Sequence, residues 1–140
     1  MKKILVSSLA IFLLLCSSCD LNPFAPKTEP QTTSVEISVI DETGTLSGDF
    51  IKSIYDPANE QDFRYSQYDA SRYVKFTNVE AGSYRAHACP VSPNNGNWVD
   101  ITVANGEHYS ITFTYYTDAY FVYNGISYPH RWWKHSLSKT

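Results

Sequence analysis

From residue 34 onward, apolar and polar side chains alternate with the two-residue period of a strand that buries one face. Val35, Ile37 and Val39 take one side of 34–40, Glu36 and Ser38 the other, and the run stops at the turn sequence Asp41-Glu42-Thr43-Gly44. The period recurs at 97–103, where Val99, Ile101 and Val103 align, and at 109–116, where Tyr109, Ile111, Phe113 and Tyr115 align. These sets are the predicted inner faces. In 74–88, V-K-F-T-N-V-E-A-G-S-Y-R-A-H-A, the runs Val74/Phe76 and Tyr84/Ala86/Ala88 flank a reversal containing Asn78 and Gly82, residues that tolerate positive φ. The pattern predicts a hairpin-like unit with strands at 72–77 and 83–89. Residues 50–55 form another strand with weaker alternation. Residues 56–71 read as a long polar loop, in which Asp56, Glu60, Asp62 and Asp69 alternate with Phe63, Tyr65 and Tyr68; such loops are often functional.

The C-terminal stretch 119–135, A-Y-F-V-Y-N-G-I-S-Y-P-H-R-W-W-K-H, carries Asn124-Gly125 between apolar residues, a strong two-residue hairpin signal. A hairpin over 119–133 follows, with Pro129 marking its second strand as an edge. One buried strand face cannot hold Tyr120, Phe121, Tyr123, Tyr128, Trp132 and Trp133 together, so some of these rings meet solvent. Adjacent Trp132 and Trp133 point oppositely on an extended strand: one caps the core, the other faces water beside Arg131, Lys134 and His135. The candidate binding residues are therefore Trp98, Tyr128, Arg131, Trp132 and Trp133, since exposed rings suit a partner protein or sugar stacking.

No stretch has helical periodicity of useful length. Strands at intervals of about 8 to 12 residues predict an all-β chain folded as a single antiparallel β-sandwich of about seven strands plus the C-terminal aromatic hairpin. Residues 34–140 form the domain, long enough to bury a core without disulfides.

Residues 1–18 have a basic start at Lys2 and Lys3, an apolar run from Ile4 to Leu15 and small Ser17 and Ser18, the form of a secretion signal. The stretch 13–19, L-L-L-C-S-S-C, resembles the lipobox of bacterial lipoproteins. That resemblance implies lipidation at Cys19, with Cys16 standing where the family prefers Leu. It places the protein in the cell envelope, held at the outer membrane through its N-terminal lipid. Residues 19–33, with Pro23, Pro26 and Pro30, read as lipidated Cys and flexible tether. Cleavage before Cys19 leaves nine Lys and Arg against 14 acids, a formal charge of −5. An acidic protein of this kind is a poor nucleic-acid partner, and the one cysteine left in the domain, Cys89, rules out a disulfide framework.

Two further blocks carry a resemblance: V-E-I-S-V-I-D-E-T-G-T-L-S-G at 35–48 and D-A-S-R-Y-V-K-F-T-N-V-E-A-G-S-Y-R-A-H-A at 69–88. They look like the carboxypeptidase regulatory-like, prealbumin-like (transthyretin-like) and Cna-B-like sandwich modules. Phe76, Asn78, Val79, Gly82 and Tyr84 match the second block; Tyr73 stands where those families commonly have Gly. The resemblance implies a prealbumin-like, Ig-like sandwich acting as scaffold or accessory module. The related hydroxyisourate hydrolases end in Tyr-Arg-Gly-Ser, whereas this chain ends Ser136-Leu137-Ser138-Lys139-Thr140.

Catalytic motifs are missing: there is no G-x-S-x-G, H-E-x-x-H or phosphate-cradling glycine loop. His87 and Cys89 share a strand face but supply only two of the four ligands of a structural zinc site, and His108, His130 and His135 add none at a recognisable spacing. The acids of 56–69 lack the spacing of a calcium loop. The expectation is a non-enzyme with no metal and no cofactor: a lipid-anchored envelope module that binds a protein partner or serves structurally. A carbohydrate-binding lipoprotein using its C-terminal aromatics is the alternative.

Overall fold

The computed structural model describes residues 32–61, 64–92 and 96–140; the expected leader, the expected lipidation site Cys19 and most of the expected tether lie outside the described residues, as do Asp62, Phe63 and residues 93–95. The chain is all-β. Its strands are β1 (Ser34–Asp41), β2 (Ser47–Tyr55), β3 (Tyr65–Asp69), β4 (Tyr73–Thr77), β5 (Gly82–Ser92), β6 (Asn97–Val103), β7 (His108–Tyr123) and β8 (Ile126–Lys139). They form two four-stranded sheets, ordered β4-β1-β7-β8 and β3-β2-β5-β6. The predicted inner faces meet between them. Val35, Ile37 and Val39 of β1 and Tyr109, Ile111, Phe113 and Tyr115 of β7 pack against Phe50, Ile54, Tyr84, Ala86, Ala88, Ile101 and Val103, all buried. At the closed side, Tyr65 of β3 meets Phe76 of β4 with ring centroids 6.1 Å apart.

The β1–β2 turn is held by one carboxylate. Asp41 accepts hydrogen bonds from the Thr43 hydroxyl (2.6 Å) and from the backbone N–H groups of Thr43 (2.9 Å), Gly44 (3.0 Å) and Leu46 (2.8 Å). Gly44 takes φ +67°, which other residues resist. Burial works to raise the Asp41 pKa, but the Thr43 hydroxyl and the three N–H donors outweigh it and hold the pKa low. The D-x-T-G sequence thus names its own turn.

Three expectations change. The 74–88 unit is not a hairpin: β4 pairs with β1, while β5 pairs with β2 and β6, so the turn crosses from one sheet to the other. Asn78 does take positive φ (56°), but Gly82 does not and simply starts β5. The polar loop at 56–71 contains a strand, β3, paired to β2. The sandwich is also not purely antiparallel, because β1 and β7 run parallel, with Ser34 beside His108 and Asp41 beside Tyr115.

One cation sits inside. Lys52 lies between Phe50 and Ile54 with its side chain wholly enclosed. Its ammonium donates to Asp69 Oδ1 (2.7 Å) and to the Ser71 carbonyl (2.5 Å), tying β2 to the corner where the chain leaves β3 for β4. Lys52 is the main cause that draws the Asp69 pKa down.

Candidate functional site

The C-terminal hairpin is longer than its sequence signal. Asn124 and Gly125 both take positive φ, 50° and 78°, as a type I′ turn requires. The strands they join stay paired from Tyr123/Ile126 down to Tyr109/Lys139. Because β1 pairs with β7 only as far as Tyr115, the part beyond is a free-standing two-stranded ribbon. Eight residues from Tyr115 to Tyr123 carry it about 26 Å past the sandwich.

A bulge at Thr117/Ala119 sets the ribbon's faces. The extra residue, Asp118, holds His130 Nδ1 at 2.6 Å, and such bulges sharpen strand twist. One face carries the pairs Tyr116/Trp132, Ala119/His130, Phe121/Tyr128 and Tyr123/Ile126; the other carries Thr117/Arg131, Tyr120/Pro129 and Val122/Ser127. On the first face, Phe121 stacks on Tyr128 (5.4 Å, 19° between planes) and His130 on Trp132 (6.0 Å, 14°), giving a nearly continuous row of flat rings. Tyr120, Phe121, Val122, Tyr123, Ile126 and Trp132 are all more than half exposed. No residue from 119 to 129 is charged. A soluble surface seldom leaves so much contiguous apolar area open without a use for it.

The adjacent tryptophans part as the alternation requires. Trp133 is 8% exposed, with its ring 4.9 Å from Tyr115, while Trp132 is 60% exposed. Trp133 therefore belongs to the core. Tyr128 and Trp132 share the open face, and Arg131 sits on the opposite row. Trp98 lies on β6 of the other sheet, 53% exposed under the Arg85 guanidinium (5.7 Å), which Asp100 holds at 2.7 and 3.1 Å. The five candidates thus do not form one site. Sequence reasoning left out Phe121, Tyr123 and Ile126 as contact residues; the uncharged run 119–129 was the signal for them.

Elsewhere, chemistry-bearing residues are tied to neighbours. Ser34 Oγ and His108 Nδ1 are 2.9 Å apart beside a shallow cavity of about 260 Å³, but the nearby Glu36 is committed to Lys75 at 2.8 Å. Burial lowers the pKa of His87 and raises that of Cys89. Among the described residues, no group of three or more His, Cys, Asp and Glu side chains comes together in a way that holds a metal ion. No protein-family model, curated protein or solved structure matches the chain.

Proposed function

We propose that this is a lipid-anchored cell-envelope protein whose non-catalytic sandwich presents the aromatic ribbon to a partner protein. The ribbon's open apolar faces carry the reading. Geometry adds a direction. Ser34, where the chain enters the domain, lies beside His108, at the end of β7 opposite the ribbon tip. Fifteen residues separate His108 from Tyr123, about 50 Å of strand. A tether over 19–33 spans at most about 50 Å when fully extended. To dip the tip into the membrane that holds the lipid, the tether must run back along the whole domain; in any relaxed arrangement the ribbon points away, toward something else in the envelope.

Two experiments test this. Replacing 117–131 with Asn-Gly closes the hairpin on the paired residues Tyr116 and Trp132 and removes the ribbon while keeping the sandwich. The full-length protein is expected to retain specific envelope proteins from detergent-solubilised membranes, and the shortened one to lose them; equal recovery refutes the reading. Palmitate labelling is expected to vanish in Cys19→Ala, and persistent labelling would disprove the anchor. Glycan binding is the second reading, supported by the flat Phe121, Tyr128 and Trp132 rings; soluble polysaccharide retarding the protein in affinity gels, and not its ribbonless form, would favour it.

A further inference from the structure

A second feature of β8 lies below the ribbon. This strand is an edge of its sheet. His108 and Thr140 exchange both backbone hydrogen bonds, at 2.9 and 3.0 Å. Counting along the ladder, Ser138, Ser136, Lys134 and Trp132 are then the β8 residues that bond to β7. Arg131, Trp133, His135, Leu137 and Lys139 turn their N–H and C=O groups outward. Nearer the tip, Pro129 opposes Tyr120 in a pair that does not exchange bonds, so its missing N–H falls on the open side and ends the available run. Nine residues, 131–139, offer an uninterrupted edge.

That edge is chemically one-sided. Ile126–Lys139 contains Arg131, Lys134 and Lys139 and none of the chain's 14 acidic residues. Lys134 is met by Glu42 at 3.3 Å and Lys139 by Glu107. Arg131 has no ion pair or hydrogen bond among the described residues, and its Nε is buried without a partner. Leu137 opposes the fully buried Ile111 on the inner row yet is 45% exposed, β8 being the edge strand of its sheet.

Building on the protein-interaction reading, we propose that the 131–139 edge of β8 receives an extended, acidic segment of a partner protein as a ninth strand. Backbone pairing supplies affinity and alternate side chains supply selection. The segment that fits has a carboxylate to face Arg131 and, six residues away on the same face, an apolar side chain to cover Leu137. A second copy of this chain is a poor occupant through the same edge, since antiparallel β8–β8 pairing sets cation beside cation.

The test pans a displayed library of random 12-residue peptides against the full-length chain in detergent, then measures enriched peptides by fluorescence anisotropy. Enriched sequences are expected to carry an acidic residue and, six positions away, an apolar one. Leu137→Pro, which removes one outward N–H and no bond to β7, and Arg131→Glu are each expected to weaken them about tenfold. Phe121→Ser with Tyr123→Ser, in the ribbon, is expected to leave them within about twofold. His135→Pro serves as the second edge variant should Leu137→Pro fail to fold by circular dichroism. An absence of enrichment, enriched peptides without acids, or affinity that survives both proline variants overturns the proposal, as does dimerisation of the chain abolished by Leu137→Pro. Peptides lost only in the ribbon variant overturn the edge and leave the ribbon reading standing.

Discussion

Substituting the two adjacent tryptophans separately by alanine divides core from surface within a single dipeptide. Trp133 is 8% exposed, so nearly all of its roughly 200 Å² of side chain is removed from water, worth about 4 to 5 kcal/mol at 25 cal/mol per Å². Its contact with Tyr115 adds about 1 kcal/mol, while residual burial in the unfolded chain and relaxation at a sheet edge subtract a similar amount. Trp133→Ala is therefore expected to cost about 3 to 5 kcal/mol. Trp132, 60% exposed, forfeits less than half that area and is expected to cost about 2 kcal/mol. The two are compared by urea unfolding at fixed pH, with circular dichroism as the probe, since deleting a tryptophan alters fluorescence. Trp133→Phe supplies an internal check: the buried indole N–H has no hydrogen-bond partner, so its removal offsets part of the lost area. Acrylamide quenching should find every remaining tryptophan accessible in that variant. Equal losses from Trp132→Ala and Trp133→Ala would refute the assignment of faces and, with it, the open ribbon.

Asp41→Ala leaves four donors without their acceptor, among them the N–H of the buried Leu46, and is expected to cost about 3 kcal/mol, measurable as a lower urea midpoint with an unchanged slope. Asp69→Asn strands the enclosed Lys52 charge, whereas Lys52→Met exchanges it for apolar volume, so Asp69→Asn should lower the thermal midpoint more. Glu107, bonded first by Lys139 and then by the Tyr109 hydroxyl, is drawn down to about 2 from an ordinary 4.5. Since its folded-state value is depressed, its contribution is complete above about pH 4.5 and is lost as pH falls toward about 2. Glu107→Gln should accordingly flatten the stability profile across that window, leaving the neutral side unaltered in slope.

Legibility in the sequence followed how much of each strand is buried. β1, β6 and the first half of β7 each bury one face, so their period-two patterns named both the strands and the core residues. Asn124-Gly125 named the turn because few other pairs take positive φ twice. β3 was invisible because it is an edge: among Tyr65 to Asp69, only Tyr65 packs against the core, and a single apolar residue makes no period. β8 below the ribbon hid for the same reason, with Trp133 its only buried residue. The misassigned 74–88 hairpin shows a different limit. Alternation tells which side of a strand is apolar, and β4 and β5 both satisfy it, but it does not tell which sheet each joins. In the site, the pattern required some C-terminal rings to be exposed and Trp132 and Trp133 to part; which of the two turned inward depended on the register with Tyr115, set through β7 by the distant β1.

The most direct test of the central claim places a photo-crosslinking benzoylphenylalanine, one position at a time, at Phe121 and Trp132 on the ribbon and at Tyr68 and Tyr73, exposed elsewhere on the sandwich, in cells that make the protein. The account predicts discrete higher-mass adducts after irradiation from the two ribbon positions and none shared by the two control positions. Ribbon positions that give no adduct, or the same adducts from all four sites, would contradict it.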